Sequence, residues 1–429
     1  MCVSRSECEM IPPVGCCRSP LPPLIHRSSL PSTLLPTMAP STANEVETMT
    51  DLASAAYGSR ILFATDEWFA PASRLLLPEP PVFIADKFTS FGKWMDGWET
   101  RRKRITGHDW CILALGLRGA VDVVDVDTAF FTGNNAPRVS IQAADFSQNN
   151  NALKILTAKA TDDRAMGVCA TPEEFKLVEQ LQSDNWMEIV PPTKLGPGYA
   201  ETRHNLLQVP PSKRGPWTHL RVNMFPDGGI ARLRVYGDVE MDWTRVLSSK
   251  LLDLVSVAHG GKVVGFNDAH YGHPRNLMAP GRSKTMADGW ETARKATRPP
   301  ILKADAETGL LEVPGKDWVV LKLGHLGVIQ QVEVDTNHFK GNFPESCVVY
   351  GTRFHGNEDK LLKDGAVKWE VVLPRVKLQA HKQQYFSVAD GNVNLIPTGV
   401  NYVKLEMFPD GGISRLRLLG NKKEAAARL

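Results

Sequence analysis

The chain has 429 residues, 42% of them hydrophobic and 23% charged, which is the composition of a globular protein with room for two or three domains. Lys and Arg number 50 against 47 Asp and Glu, a net charge of +3, which excludes the strongly basic face of a nucleic-acid binder. The apolar runs all fall short of the roughly 18 residues that a membrane helix needs.

Residues 1–50 are rich in Pro, Ser and Thr and show no sustained period, so they are expected to be a disordered extension. Arg and Ser suit a transit peptide, Glu7 and Glu9 count against one, and Met38 or Met49 can serve as the start. Four of the seven cysteines (Cys2, Cys8, Cys16 and Cys17) lie here; Cys111, Cys169 and Cys347 are scattered through the rest. That spacing makes no disulfide framework and points to a reducing compartment.

From Gly58 onward the chain repeats itself. GSRILFATDEWF matches GKVVGFNDAHY, DGWET recurs at Asp96–Thr100 and Asp288–Thr292, and HDW at His108 answers KDW at Lys316. NWMEIVPPTKL matches KWEVVLPRVKL, and MFPDGGI recurs at Met224–Ile230 and Met407–Ile413. The order is kept while the spacing changes, as when loops drift around fixed elements. The pattern predicts two tandem domains, residues 58–238 and 253–420, joined by a linker at 239–252 and followed by a tail at 421–429.

The repeated elements read as strands. Val121–Asp127, Val328–Asp335, Thr218–Phe225 and Tyr402–Phe408 alternate apolar and polar residues, the mark of a strand with one buried face. PDGG followed by IARLRV or ISRLRL predicts a β-hairpin in each copy, with Pro, Asp and Gly supplying turn chemistry. Thr171–Gln182 is the clear helix, with Thr at the N-cap and Glu three residues on, in an insertion of the first domain. The expected fold is all-β: a tandem repeat of two antiparallel jelly-roll β-sandwiches.

Candidate chemistry gathers in the two repeated motifs. In DGWETRRKR, Asp96, Trp98, Glu99 and Arg102 offer a carboxylate, a flat wall, a general acid or base and a bidentate clamp. An inward Trp and a rim Glu–Arg pair explain the same residues without a ligand. Asp227 and Arg232 follow in PDGGIARLR, where a turn and a solvated sheet face are the plainer readings. Asp66 and His108 complete the first set. Asp268, Asp288, Glu291, Arg294, Asp410 and Arg415 are the second-domain equivalents. HExxH, paired Cys–His spacing, GxSxG, P-loop and GxGxxG patterns are absent, so zinc, nucleophilic-serine, ATP and nicotinamide chemistries lose support.

GKWMDGWETRRKRITGHDWCILALGLRG, DVDTAFFTGNNAPRVSIQA and WTHLRVNMFPDGGIARLRVYG resemble the allantoicase family. MADGWETAR, RPPIL, EVDTNHFKGNFPESC and MFPDGGISRLRL resemble that family's second domain, so the likeness covers residues 58–420 in order. It implies two galactose-binding-domain-like jelly rolls and hydrolysis of allantoate to ureidoglycolate and urea. The partner is then a small molecule, the protein a homo-oligomer, with neither nucleic acid nor membrane as partner. The chemistry strictly needs no metal or other cofactor. Arg102 or Arg232 is expected to bind the carboxylate, with Glu99 or Asp227 as acid/base and a contribution from Asp66 or His108. The competing readings are a carbohydrate- or small-molecule-binding tandem sandwich, and a family member that has lost activity. Ala427-Arg428-Leu429 is a variant of a peroxisomal address, so peroxisome or cytoplasm is expected.

Overall fold

The computed structural model describes Val46 and residues 49–148 and 166–424. The expected N-terminal disorder (apart from its last residues) and the Ala427-Arg428-Leu429 signal lie outside the described residues.

The first repeat is built on β1 (Arg60–Ala64), β2 (Asp109–Asp127), β3 (Arg138–Ala144), β4 (Met187–Lys194), β5 (His204–Gln208), β6 (Trp217–Phe225) and β7 (Arg232–Val239). All pairings among them are antiparallel. The first half of β2 lies between β1 and β6, which continues to β3 and β4. Its second half lies between β5 and β7, and Thr50–Asp51 adds to the outer edge of β7. One 19-residue strand thus serves both layers. The second repeat has the same plan, with β8 (Lys262–Phe266), β9 (Asp317–Asp335), β10 (Ser346–Thr352), β11 (Glu370–Lys377), β12 (Gln383–Ser387), β13 (Val400–Phe408) and β14 (Arg415–Lys422). The jelly-roll expectation stands.

Alternation explains the core. Leu220, Val222 and Met224 of β6 lie beside Ala143, Ile141 and Val139 of the neighbouring β3, all buried in one core. The helix α1 (Pro172–Glu179) forms as its sequence predicts. Thr171 accepts from the Glu174 amide, and the Glu174 side chain accepts in return from the Thr171 amide. It packs Val178 and Phe175 beside Phe63 and Trp110, covering the outer face of the first sheet.

The expected PDGG hairpin is not there. β6 and β7 never pair with each other; each pairs with a different half of β2. MFPDGGI is a corner that carries the chain from one layer to the other, and β13, β14 and β9 repeat this arrangement. Period two identifies strands and the turn residues identify a reversal, but neither says which neighbour a strand takes. The two glycines have separate reasons. Gly228 and Gly411 adopt φ of +135° and +136°, which side chains rarely accept. Gly229 and Gly412 lie against Phe131 and Phe339, where a Cβ would fall 2.0 and 1.9 Å from ring carbons. Gly229→Ala is therefore expected to cost about 1–3 kcal/mol through overpacking. A denaturation midpoint unchanged from wild type would contradict this.

Candidate active site

The two repeated motifs interlock. Trp98–Glu99 pairs antiparallel with Gly229–Ile230, and Trp290–Glu291 pairs with Gly412–Ile413. The Thr100 amide donates to the Gly228 carbonyl at 3.0 Å, and Thr292 does the same to Gly411. Asp227 accepts the Lys103 amide at 2.7 Å, and Asp410 accepts that of Lys295 at 2.8 Å. Lys103 in turn reaches Asp109 at 2.5 Å, where Asp109 also accepts from the Thr65 hydroxyl at 2.8 Å. Lys295 and Asp317 form the same pair. The sequence carried that Lys–Asp pair in both copies, yet motif reading passed over it.

This interlock decides what each candidate can do. Trp98 and Trp290 are fully buried, with indole N–H groups on the carbonyls of Asp66 and Asp268 at 2.8 and 2.9 Å. The expected flat wall for substrate is instead core, because alternation turns Trp inward and leaves Glu on the other face. Arg232 is 2% exposed and bound bidentately to Asp96 at 2.8 and 3.3 Å. Its remaining donors meet the carbonyls of Glu79, Asp96 and Ala231. Most Arg232 donors are thus engaged within the fold, which favours a structural tie over the expected carboxylate clamp. Asp96 likewise has no open oxygen, since Val82 N–H donates to Oδ2 at 2.9 Å. Asp227 is bound to the Lys103 amide, which suits a turn anchor better than an acid. In the second repeat Arg415 stands 3.9 Å from Asp288, whose oxygens accept the Lys284 and Thr285 amides.

Glu99 is different. It is half-buried, and burial raises its pKa above the ordinary carboxylate value, partly offset by a hydrogen bond from Asn134 at 2.6 Å. Its other oxygen accepts no hydrogen bond among the described residues. Glu291 accepts from Asn342 in the same way. The rim Glu–Arg pair is thus replaced by Glu–Asn. Asn134 and Asn342 were missed, although a Gly-Asn pair stands at this place in both copies.

Two residues beyond Glu99, Arg101 binds Asp66 through Nε and Nη2, both at 2.7 Å, and lies 4.4 Å over the Trp68 ring. The Asp66 carboxylate also accepts the amides of Trp68 and Arg101. Arg101 was missed because its counterpart is Ala293, so repetition gave no signal. Asp268 keeps the backbone contact, from Ala293 N–H at 2.8 Å, without a guanidinium. Arg102 and Arg294 are exposed and form no hydrogen bond or ion pair among the described residues. His108 belongs to another group. It stacks on Phe225 at 4.4 Å, and its Nε2 is 3.1 Å from Asn223. Burial lowers its pKa, which favours the neutral imidazole. Lys316, its counterpart, pairs with Glu406 at 2.7 Å. Among the described residues no cluster of three or more His, Cys, Asp or Glu is disposed to hold a metal ion.

The allantoicase-repeat model matches residues 50–240 and 252–423, both halves of the molecule. The chain belongs to the allantoicase family. It is 40% identical over 387 residues to a probable allantoicase 1 of Burkholderia mallei, covering 90% of this chain and 98% of that one. A probable allantoicase of Pseudomonas aeruginosa is 39% identical, covering 86% and 95%. The crystal structure of allantoicase from Saccharomyces cerevisiae superposes with a TM-score of 0.63 at 30% identity, covering 88% and 96%. The two repeats are therefore the family's repeats, and the family is one of hydrolases of allantoin catabolism that release urea from allantoate. The non-catalytic binding alternative is not favoured.

Proposed function

We propose that the protein hydrolyses allantoate at the first repeat, with Glu99 as the acid/base. The observation that carries this is the half-buried Glu99 carboxyl, held through one oxygen by Asn134 and raised in pKa by burial, two residues from the Asp66-bound Arg101. Allantoate carries a carboxylate and two ureido groups on one carbon. Arg101, oriented by Asp66 and Trp68, and the exposed Arg102 bind the carboxylate. Protonated Glu99 gives its proton to one ureido nitrogen as the bond from that nitrogen to the central carbon breaks, and urea departs. The lone pair of the remaining ureido nitrogen supports the electron-poor carbon. Water then adds its oxygen to that carbon while Glu99 takes the proton, which yields ureidoglycolate and restores the acid. Asn134 holds one Glu99 oxygen and so sets where the other points.

The second repeat keeps Glu291 and Asn342 but has Ala293 where Arg101 orients the substrate, so it is assigned a supporting role. Asp268, Asp288, Arg294, Asp410 and Arg415 belong with it. Trp98, Asp96, Arg232 and Asp227 hold the catalytic segment from behind.

A pH–rate profile of urea release tests the acid. Glu99 has a raised pKa, so its proton is present at low pH and lost as pH rises through that value. The rate is expected to fall on that side, and Glu99→Gln to abolish this limb. A wild-type rate that climbs steadily through the same range would contradict general-acid action. A homo-oligomer is also proposed, supported by large apolar side chains exposed on the surface, such as Ile105 and Ile301. Sedimentation analysis checks it. The bacterial relatives support a cytoplasmic location and give the peroxisomal one no support.

A further inference from the structure

A cavity of about 520 Å³ opens in the first repeat, and its lining includes Arg60, Lys87 and Trp94 as well as Ile61, Leu77 and Val82. Asp96 reaches it as well, but Arg232 already neutralises that carboxylate. Lys87 is held with its ammonium 3.9 Å over the Trp94 ring, and Arg74 flanks the same ring at 5.2 Å. Arg60 is exposed, and neither Arg60 nor Lys87 has a carboxylate partner among the described residues. The cavity therefore carries excess positive charge among apolar lining residues.

The second repeat does not keep this arrangement. Met286 stands in the place of Trp94, two residues before the shared DGW. Asn276 replaces Arg74 and donates to the Gly289 carbonyl at 2.9 Å. Arg275 and Arg415, near the corresponding place, interact electrostatically with Tyr57 of the first repeat. Folding alone thus does not require the Trp–Lys–Arg stack, since the sister domain folds without it.

We propose that this cavity is a ligand site for a small organic carboxylate with an aliphatic skeleton. The carboxylate lies between Arg60 and Lys87, and the carbon chain rests on Ile61, Leu77 and Val82. Trp94 holds Lys87 by its ring face. The volume exceeds what an inorganic anion fills, and the apolar lining suits carbon better than the ureido groups of the family's substrate. The site is independent of Glu99, so either assignment stands without the other.

Hexanoate is the probe, titrated into the full chain by calorimetry, with sulfate as the charge-only control. Hexanoate is expected to bind about tenfold or more tightly than sulfate. The double variant Arg60→Gln/Lys87→Gln is expected to weaken hexanoate about tenfold or more. Its urea release from allantoate without hexanoate should stay within about twofold of wild type. Unchanged hexanoate affinity in the double variant, or sulfate binding as tightly as hexanoate, would overturn the proposal. Loss of hydrolysis in a folded double variant would overturn it too, since the cavity would then be part of the catalytic centre.

Discussion

Glu99→Gln is expected to lower the turnover number for urea release by about 10²–10⁴-fold, the usual contribution of a positioned acid/base. Gln keeps the shape and can still accept from Asn134, so the Glu99–Asn134 contact and the Trp98–Ile230 pairing survive. The denaturation midpoint should therefore stay near wild type or rise slightly, because a partly buried ionisable group has been removed. The Michaelis constant should change little, since Arg101 and Arg102 carry the substrate carboxylate. A folded Glu99→Gln protein with full turnover would remove Glu99 from the chemistry. A protein that loses activity only in proportion to its loss of fold would give Glu99 a structural role.

Asp96→Ala is expected to have the largest effect on stability. Arg232 is 2% exposed and Asp96 is 9% exposed, so truncating the aspartate leaves a guanidinium buried without its counter-charge. Breaking such a pair from one side costs about 3–5 kcal/mol, far more than an exposed ion pair contributes. Arg232→Met together with Asp96→Leu should recover much of that loss, because an apolar pair needs no charge compensation. Equilibrium denaturation of the three proteins checks both statements. A loss below about 1 kcal/mol for Asp96→Ala would mean that the pair is hydrated, and the assignment of Arg232 to the fold would fail.

The fold was largely legible because duplication displayed it twice. Period two in Thr218–Phe225 and Tyr402–Phe408 marked strands, and the capping box at Thr171 marked the helix. The corner at MFPDGGI was misread as a hairpin because pairing depends on the long central strand. In β2 alternation shows only in the second half, and there Val123-Val124 breaks its phase, so the strand's continuity across both layers was hidden. At the site, repetition was a poor guide to chemistry. Asp96, Trp98, Asp227 and Arg232 recur because the two motifs must interlock in each domain. Arg101, which lies over Trp68 and against Asp66, occurs once and was passed over for that reason. Asn134 and Asn342 recur in plain sight, but an asparagine in a loop reads as a turn residue until its partner is seen.

The most direct test of the account compares urea release from allantoate by Glu99→Gln and Glu291→Gln, each purified as the full chain and shown to be folded. Glu291→Gln is expected to keep most of the wild-type rate while Glu99→Gln loses about 10²-fold or more. Equal losses in the two proteins, or a loss confined to Glu291→Gln, would contradict hydrolysis at the first repeat.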